Sequence, residues 1–132
     1  MGLFDLFSKK VVKGGLYDLQ CELHPFRLAA YKNDGVDLDV YLQNVHDQPL
    51  LTSITISVPR QLGMDRTGIS HEREIRLGEI APGASKRFKL GVFSNQKSAP
   101  GTYPVDVFAS AHYRDYGHVL NEVRKRLTIR VE

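Results

Sequence analysis

Residues 36–44 read Val36-Asp37-Leu38-Asp39-Val40-Tyr41-Leu42-Gln43-Asn44, with apolar and polar side chains alternating without a break from 36 to 43. On a β-strand successive side chains point to opposite faces, so the pattern repeats every two residues. A helix instead repeats its apolar positions at spacings of three and four. Val36, Leu38, Val40 and Leu42 therefore share one face, and Asp37, Asp39, Tyr41 and Gln43 the other, which predicts a half-buried strand. The same period recurs on either side. Leu19, Cys21 and Leu23 alternate with Gln20 and Glu22, and Ile54, Ile56 and Val58 alternate with Thr55 and Ser57. Phe88, Leu90 and Val92 follow, then Tyr103, Val105, Val107, Ala109 and Ala111 within 103–113, and Val119, Val123, Leu127, Ile129 and Val131 within 119–131. The last run carries Asn121 and Lys125 on its inward register, which predicts a bulge or a change of sheet near residues 121–125. Shorter strands are expected over 26–31 and 72–78.

Between these runs lie turn residues: Asn33-Asp34-Gly35, the loop from Asn44 to Pro49, and Ala-Pro-Gly at 81–83 and 99–101. Each supplies Gly, Pro or Asn where the chain must reverse. Seven to eight antiparallel strands without an internal helix predict an all-β fold. A two-sheet sandwich buries one face of each strand most economically, and a closed barrel is the alternative. The two Ala-Pro-Gly turns are followed by different sequences, so they reflect shared turn chemistry and not a structural repeat.

The 132 residues include 18 Lys plus Arg, 15 Asp plus Glu and one cysteine, for a formal charge of +3. This length suits one domain, large enough to bury a core without a disulfide or structural metal. A lone Cys21 excludes an intramolecular disulfide, a paired-cysteine redox motif and a cysteine-based zinc site. Charge is uneven, −1 over residues 1–66 against +4 over 67–132. No apolar run reaches the roughly 18 residues that a membrane span requires, and Asp5 interrupts the short apolar start. Neither a transmembrane helix nor a signal peptide is expected, and a cytoplasmic location follows, with peripheral contact at a membrane as a variant of it.

Residues 1–15 depart from the β pattern. Leu3, Phe4, Leu6 and Phe7 form an apolar cluster followed by Lys9, Lys10 and Lys13, and Gly14-Gly15 provides a hinge. A short amphipathic segment of this kind is marginal as an isolated helix, and fully exposing each large apolar side chain would cost about 1.5–3 kcal/mol. The division expected is therefore a segment and hinge at 1–15 and a sandwich domain at 16–132. The segment is expected to dock on a protein partner, on a second copy, or shallowly on a membrane surface, where Lys9, Lys10 and Lys13 would meet anionic headgroups. Leu6 stands where the myristoylation pattern wants Ser or Thr.

Val40, Leu42 and Asn44, then Ile80, Pro82 and Gly83, then Pro100, Gly101, Tyr103, Val105 and Val107 follow one another in the order of three motifs. These are V-x-V-x-N, L-x-P-G and P-G-x-Y-x-V-x-V. Over residues 16–131 the chain resembles the prokaryotic immunoglobulin-like domains of the CARDB-related type, and more weakly the arrestin-like sandwiches of the cytoplasm. The resemblance implies an immunoglobulin-like sandwich that acts as a binding or spacer module.

No nucleophile elbow, zinc-protease helix, P-loop or dinucleotide fingerprint is present. Asp37 and Asp39 share a strand face about 7 Å apart and are read as solvated residues. His24, His46, His71, His112 and His118 lack metal-ligand spacing. Asn44 and Asp47 beside His46 are read as turn residues, and Cys21 as a small core side chain. Arg124, Arg126 and Arg130 lie on one strand face and form a candidate anion-binding surface. Lys86, Arg87 and Lys89, with Tyr113 and Tyr116, would extend it into a groove for single-stranded nucleic acid. The modest net charge favours the other reading, in which these side chains guard a strand edge, so a nucleic-acid partner is not expected. The function expected is a non-catalytic module, free of cofactors, that docks a protein partner or its own copies through Leu3, Phe4, Leu6, Phe7, Lys9 and Lys10. The competing expectations are a small-ligand-binding or hydrolytic enzyme and a peripheral membrane-surface protein.

Overall fold

A computed structural model describes residues 15–25 and 27–132. Residues 1–14, and with them Leu3, Phe4, Leu6, Phe7, Lys9 and Lys10, lie outside the described residues. In chain order the strands are β1 (Tyr17–His24), β2 (Arg27–Leu28), β3 (Gly35–Asn44), β4 (Leu50–Ser57), β5 (Leu62–Gly63), β6 (Glu72–Ile80), β7 (Ser85–Ser94), β8 (Gly101–His112) and β9 (Val119–Val131). They form two sheets, β1-β3-β7-β5 and β2-β9-β8-β4-β6, packed face to face as a sandwich. Seven strands are long, whereas β2 and β5 have two residues each. The expected strand over 26–31 is reduced to Arg27–Leu28, which runs parallel to the end of β9.

Alternation produces the core. Val36, Leu38, Val40 and Leu42 of β3 face Ile54 and Ile56 of β4, Val105 and Val107 of β8, and Ile129 of β9, all essentially inaccessible to water. Leu90 and Val92 of β7 and the inner residues of β1 complete the layer. Tyr103 closes one corner by donating from its hydroxyl to the Ala99 carbonyl at 2.7 Å, a short-range tie of the kind found at the corners of Greek-key sandwiches.

The motif positions meet at one end. The buried Asn44 side chain donates to the carbonyls of Gln48 and Ile80, each at 2.9 Å, and accepts from the His46 amide at 2.8 Å. Its backbone accepts from Gly83 and donates to Ala84. Gly83 sits at φ 78°, in the left-handed region that a side chain disfavours. Asn44 thus joins the end of β3, the loop behind it and the turn between β6 and β7.

The inward register expected along the whole of β9 fails at its start. Val119 is 58% exposed, and the register of β8 against β9 shifts between Ala111 and His112, so that Leu120 is the extra residue. The irregularity therefore precedes the expected 121–125 window, and β9 stays in one sheet. Tyr17 at the start of β1 bonds Thr52, which pairs with Ala111, which in turn pairs with Asn121. β9 thus begins about two residues beyond the strand that covers it, and Val119 projects past that cover.

Candidate functional site

Arg124, Arg126 and Arg130 do stand on one outward face of β9. They do not stand there as free cations. Arg126 grips Asp106 of β8 with Nε at 2.7 Å and Nη2 at 3.1 Å, and Arg124 Nη2 donates to the same carboxylate at 3.2 Å while lying 5.7 Å from the Phe108 ring centre. Hydrogen bonds from Arg126, then Arg124, hold Asp106 below the usual carboxylate range. Arg130 pairs with Glu132 at 2.9 Å, and Arg27 approaches the same carboxylate at 3.5 Å.

The second basic group lies elsewhere. Arg87 and Lys89 project from β7 on the outer face of the other sheet, where Arg87 covers the Tyr41 ring and Lys89 stands opposite Asp39. Lys86 shares that strand. The two basic clusters thus face away from each other across the sandwich. Tyr116 is also committed. Its hydroxyl accepts from the Gly78 amide at 2.9 Å, its ring lies 4.7 Å from the Arg76 guanidinium, and it meets the His112 ring edge-on at 5.1 Å. Tyr113 remains 51% exposed under Arg114.

Tyr116 acts as a clamp that folds the β8–β9 hairpin onto the outer face of β4 and β6. His112 adds a second tie, with Nε2 2.7 Å from Ser53 Oγ. Sequence reasoning had no access to this pair, because 59 residues separate its members and only the β4–β8 register joins them. Both side chains are more than nine-tenths buried, and Nδ1 of His112 has no hydrogen-bond partner among the described residues. Among the described residues no carboxylate bonds the imidazole, and burial of both side chains makes the pair an internal tie between β4 and β8.

The remaining candidates resolve into separate contacts. His24 lies 3.4 Å from Asp39 and 3.6 Å from Glu22, on the face of β1 and β3, while Asp37 stands opposite His24 in the β1–β3 register. His46 sits 3.5 Å from Asp47 in a loop organised by Asn44. His71 Nδ1 contacts the Leu62 carbonyl, and His118 Nδ1 contacts Asp115. Burial pushes the Cys21 thiol up to about 11, with Lys125 pulling the other way. Among the described residues no three His, Cys, Asp or Glu side chains converge on a metal position.

Hydrophobic side chains left in water are more informative. Tyr113, Val119 and Leu120 are 51%, 58% and 59% exposed, all on the clamped β8–β9 hairpin. The chain enters β1 at this same end, since the Leu16 carbonyl accepts from the Val45 amide beside Asn44, and β1 packs over β9. The start of β1 therefore lies at the same end of the sandwich as these three side chains. A signal for this was present in the sequence: Val119 and Leu120 are consecutive, and two neighbours on a strand cannot both face inward.

No protein-family model matches the chain, and no curated protein matches it. Solved structures do. Part of native alpha-2-macroglobulin from Escherichia coli, in a structure running from domain MG7 to the C-terminus, superposes with a TM-score of 0.64 at 17% identity, over 88% of this chain and 16% of that one. The CARDB domain of a Pyrococcus furiosus protein, solved with di-metal ions, gives 0.57 at 9% identity and covers 88% of this chain and 87% of its own. The alkylpurine DNA glycosylase AlkC from Pseudomonas fluorescens, bound to DNA containing an abasic site analogue, gives 0.52 at 14% identity over 89% of this chain and 32% of that one. The chain thus has an immunoglobulin-like β-sandwich fold, which it shares with the CARDB domain and with part of the macroglobulin. It spans a small part of the macroglobulin and about a third of the glycosylase, where the matching fold is one portion of a longer chain.

Proposed function

We propose that the protein is a non-catalytic interaction module that docks a protein partner, or further copies of itself, at the end of the sandwich where β1 begins. Leu3, Phe4, Leu6 and Phe7 supply the apolar handle, and Lys9 and Lys10 lie beside it in the sequence. The observation that carries this reading is the gathering of exposed Tyr113, Val119 and Leu120 on one hairpin at that end. Tyr116, His112 and Ser53 hold the hairpin, so a partner would meet a preformed surface and lose little ordering entropy on binding. Contiguous apolar groups left in water are the usual mark of such a contact. The compartment proposed is the cytoplasm, where a buried free thiol such as Cys21 is at ease.

A photo-crosslinking amino acid placed at Leu120 tests this in cells, with Glu74 on the outer sheet face as the control position. Discrete adducts, to the protein itself or to one other protein, are expected at position 120 and not at 74. Equal labelling at both positions contradicts the proposal. A membrane-surface role would instead appear as binding of the full chain to anionic vesicles that weakens with salt.

A further inference from the structure

The opposite end of the sandwich carries a second surface. Three loops meet there, residues 29–34, 64–71 and 95–100, and they are bonded to one another. The Tyr31 amide donates to the Ser98 carbonyl at 3.0 Å, and Asn33 Nδ2 donates to the Arg66 carbonyl at 2.8 Å. Two buried serines lock the base. Ser94 Oγ donates to the Lys32 carbonyl at 2.5 Å and accepts from the Asp34 amide at 3.1 Å, and Ser98 Oγ donates to the Gln61 carbonyl. Between the loops runs an open groove of about 470 Å³, whose lining includes Tyr31, Asn33, Arg66, Ile69, Asn95 and Lys97.

Three features of this groove point to a ligand. Tyr31 is held at φ 58° and is 58% exposed, and Ile69, which also lines the groove, is 79% exposed. A bulky residue in the left-handed region costs free energy, and such strain persists where the surroundings fix it, often at ligand contacts. Charge is the second feature. The local carboxylates are spent on the loops themselves, since Asp65 accepts from Thr67 and Gly68, and Asp34 accepts from Ala29 and Gly35. Arg66 and Lys97 have no carboxylate within ion-pair distance among the described residues. The third is positioning: the Arg66 guanidinium lies 4.8 Å from the centre of Phe93, whose ring covers Gly35 and Gly91 so closely that a Cβ on either would fall within 2.7 Å of it.

We propose that this groove binds an acidic, extended peptide segment of a partner protein, with an apolar side chain between Tyr31 and Ile69 and carboxylates on Arg66 and Lys97. Carboxylates complement Arg66 and Lys97, which have no ion-pair partner among the described residues, and an aliphatic side chain complements Ile69, which offers no face for a nucleobase. Two cations are few for a phosphate backbone, whose binding is driven by many such contacts. Rigid loops on a β-scaffold that mix an aromatic, an Arg and amide side chains are a recurrent form of peptide-binding surface. The site is independent of the β8–β9 hairpin, so either can fail without the other.

The test is an amide NMR titration of the full chain with a capped decapeptide of alternating Glu and Leu. The same decapeptide with Gln or Lys in place of Glu, and a ten-nucleotide oligothymidine, serve as comparisons. Saturable shifts confined to residues 31–33, 66–69 and 95–97 are expected for the Glu peptide, with a dissociation constant on the order of 0.1–1 mM. Arg66→Ala, Lys97→Ala and Ile69→Asp should each weaken it about fivefold or more while leaving the remaining amide spectrum in place. Loop amides that stay unmoved at saturating Glu peptide, equal binding of the Lys peptide, or tighter binding of the oligonucleotide at these loops overturns the proposal.

Discussion

Asn44 is the residue at which sequence and fold correspond most closely. Its turn role follows from its chemistry and its position after an alternating run, and in the structure one buried side-chain amide serves two carbonyls and one backbone amide, tying the loop after β3 to the end of β6. Asn44→Ala should cost about 2–4 kcal/mol, because buried backbone groups left without a partner are penalised individually. Equilibrium urea unfolding, read as a fall in midpoint at constant slope, checks this. Asp106 gives a second case. Its ionised form is favoured in the folded state by Arg126 and Arg124, so its contribution is complete above the ordinary carboxylate pKa near 4 and fades as pH falls through the lower folded value. The difference in melting temperature between the wild type and Asp106→Asn should therefore be full at pH 7 and shrink progressively as the pH falls below about 4. The arginine face was legible as a row of like charges. Its neutralisation was not, because Asp106 reaches it only through the β8–β9 register.

At the scale of the element, β3 and β9 mark the range over which alternation can be trusted. β3 is covered on one face along its length, so its period of two is the pattern of burial itself. β9 is thirteen residues long and outruns the strand packed on it, so the same period at its start describes direction but not burial. Val119 therefore reads as core in the sequence and is exposed in the structure, with Leu120 bulged beside it. Paired substitutions separate the two regimes. Val107→Asp buries an unpaired charge among fully covered side chains and should remove several kcal/mol from a total near 5–15. Val119→Asp meets water and should change stability by no more than about 0.5 kcal/mol. Thermal melts followed by circular dichroism distinguish them, and equal losses would mean that the start of β9 is covered after all. β5 escaped sequence reading, and β2 was expected longer than it is, for a related reason, since two residues are too few to show any period.

At the scale of the molecule, the described residues build both sheets, the Asn44 bracket and the hairpin clamp, and among them exposed apolar side chains collect at the two ends. The fold was legible because sheet burial leaves its period in the sequence. The two end surfaces were not, because each joins loops or strands far apart in the chain. Under the proposed function the apolar cluster at 3–7 is an attachment to the sandwich and not part of its core. The thermal melt of the chain lacking residues 1–13 decides between the two. A single cooperative transition within about 2 °C of the full chain, a shift well under 1 kcal/mol, is the predicted result. A broadened transition without cooperativity would make the segment a core element and contradict the claim.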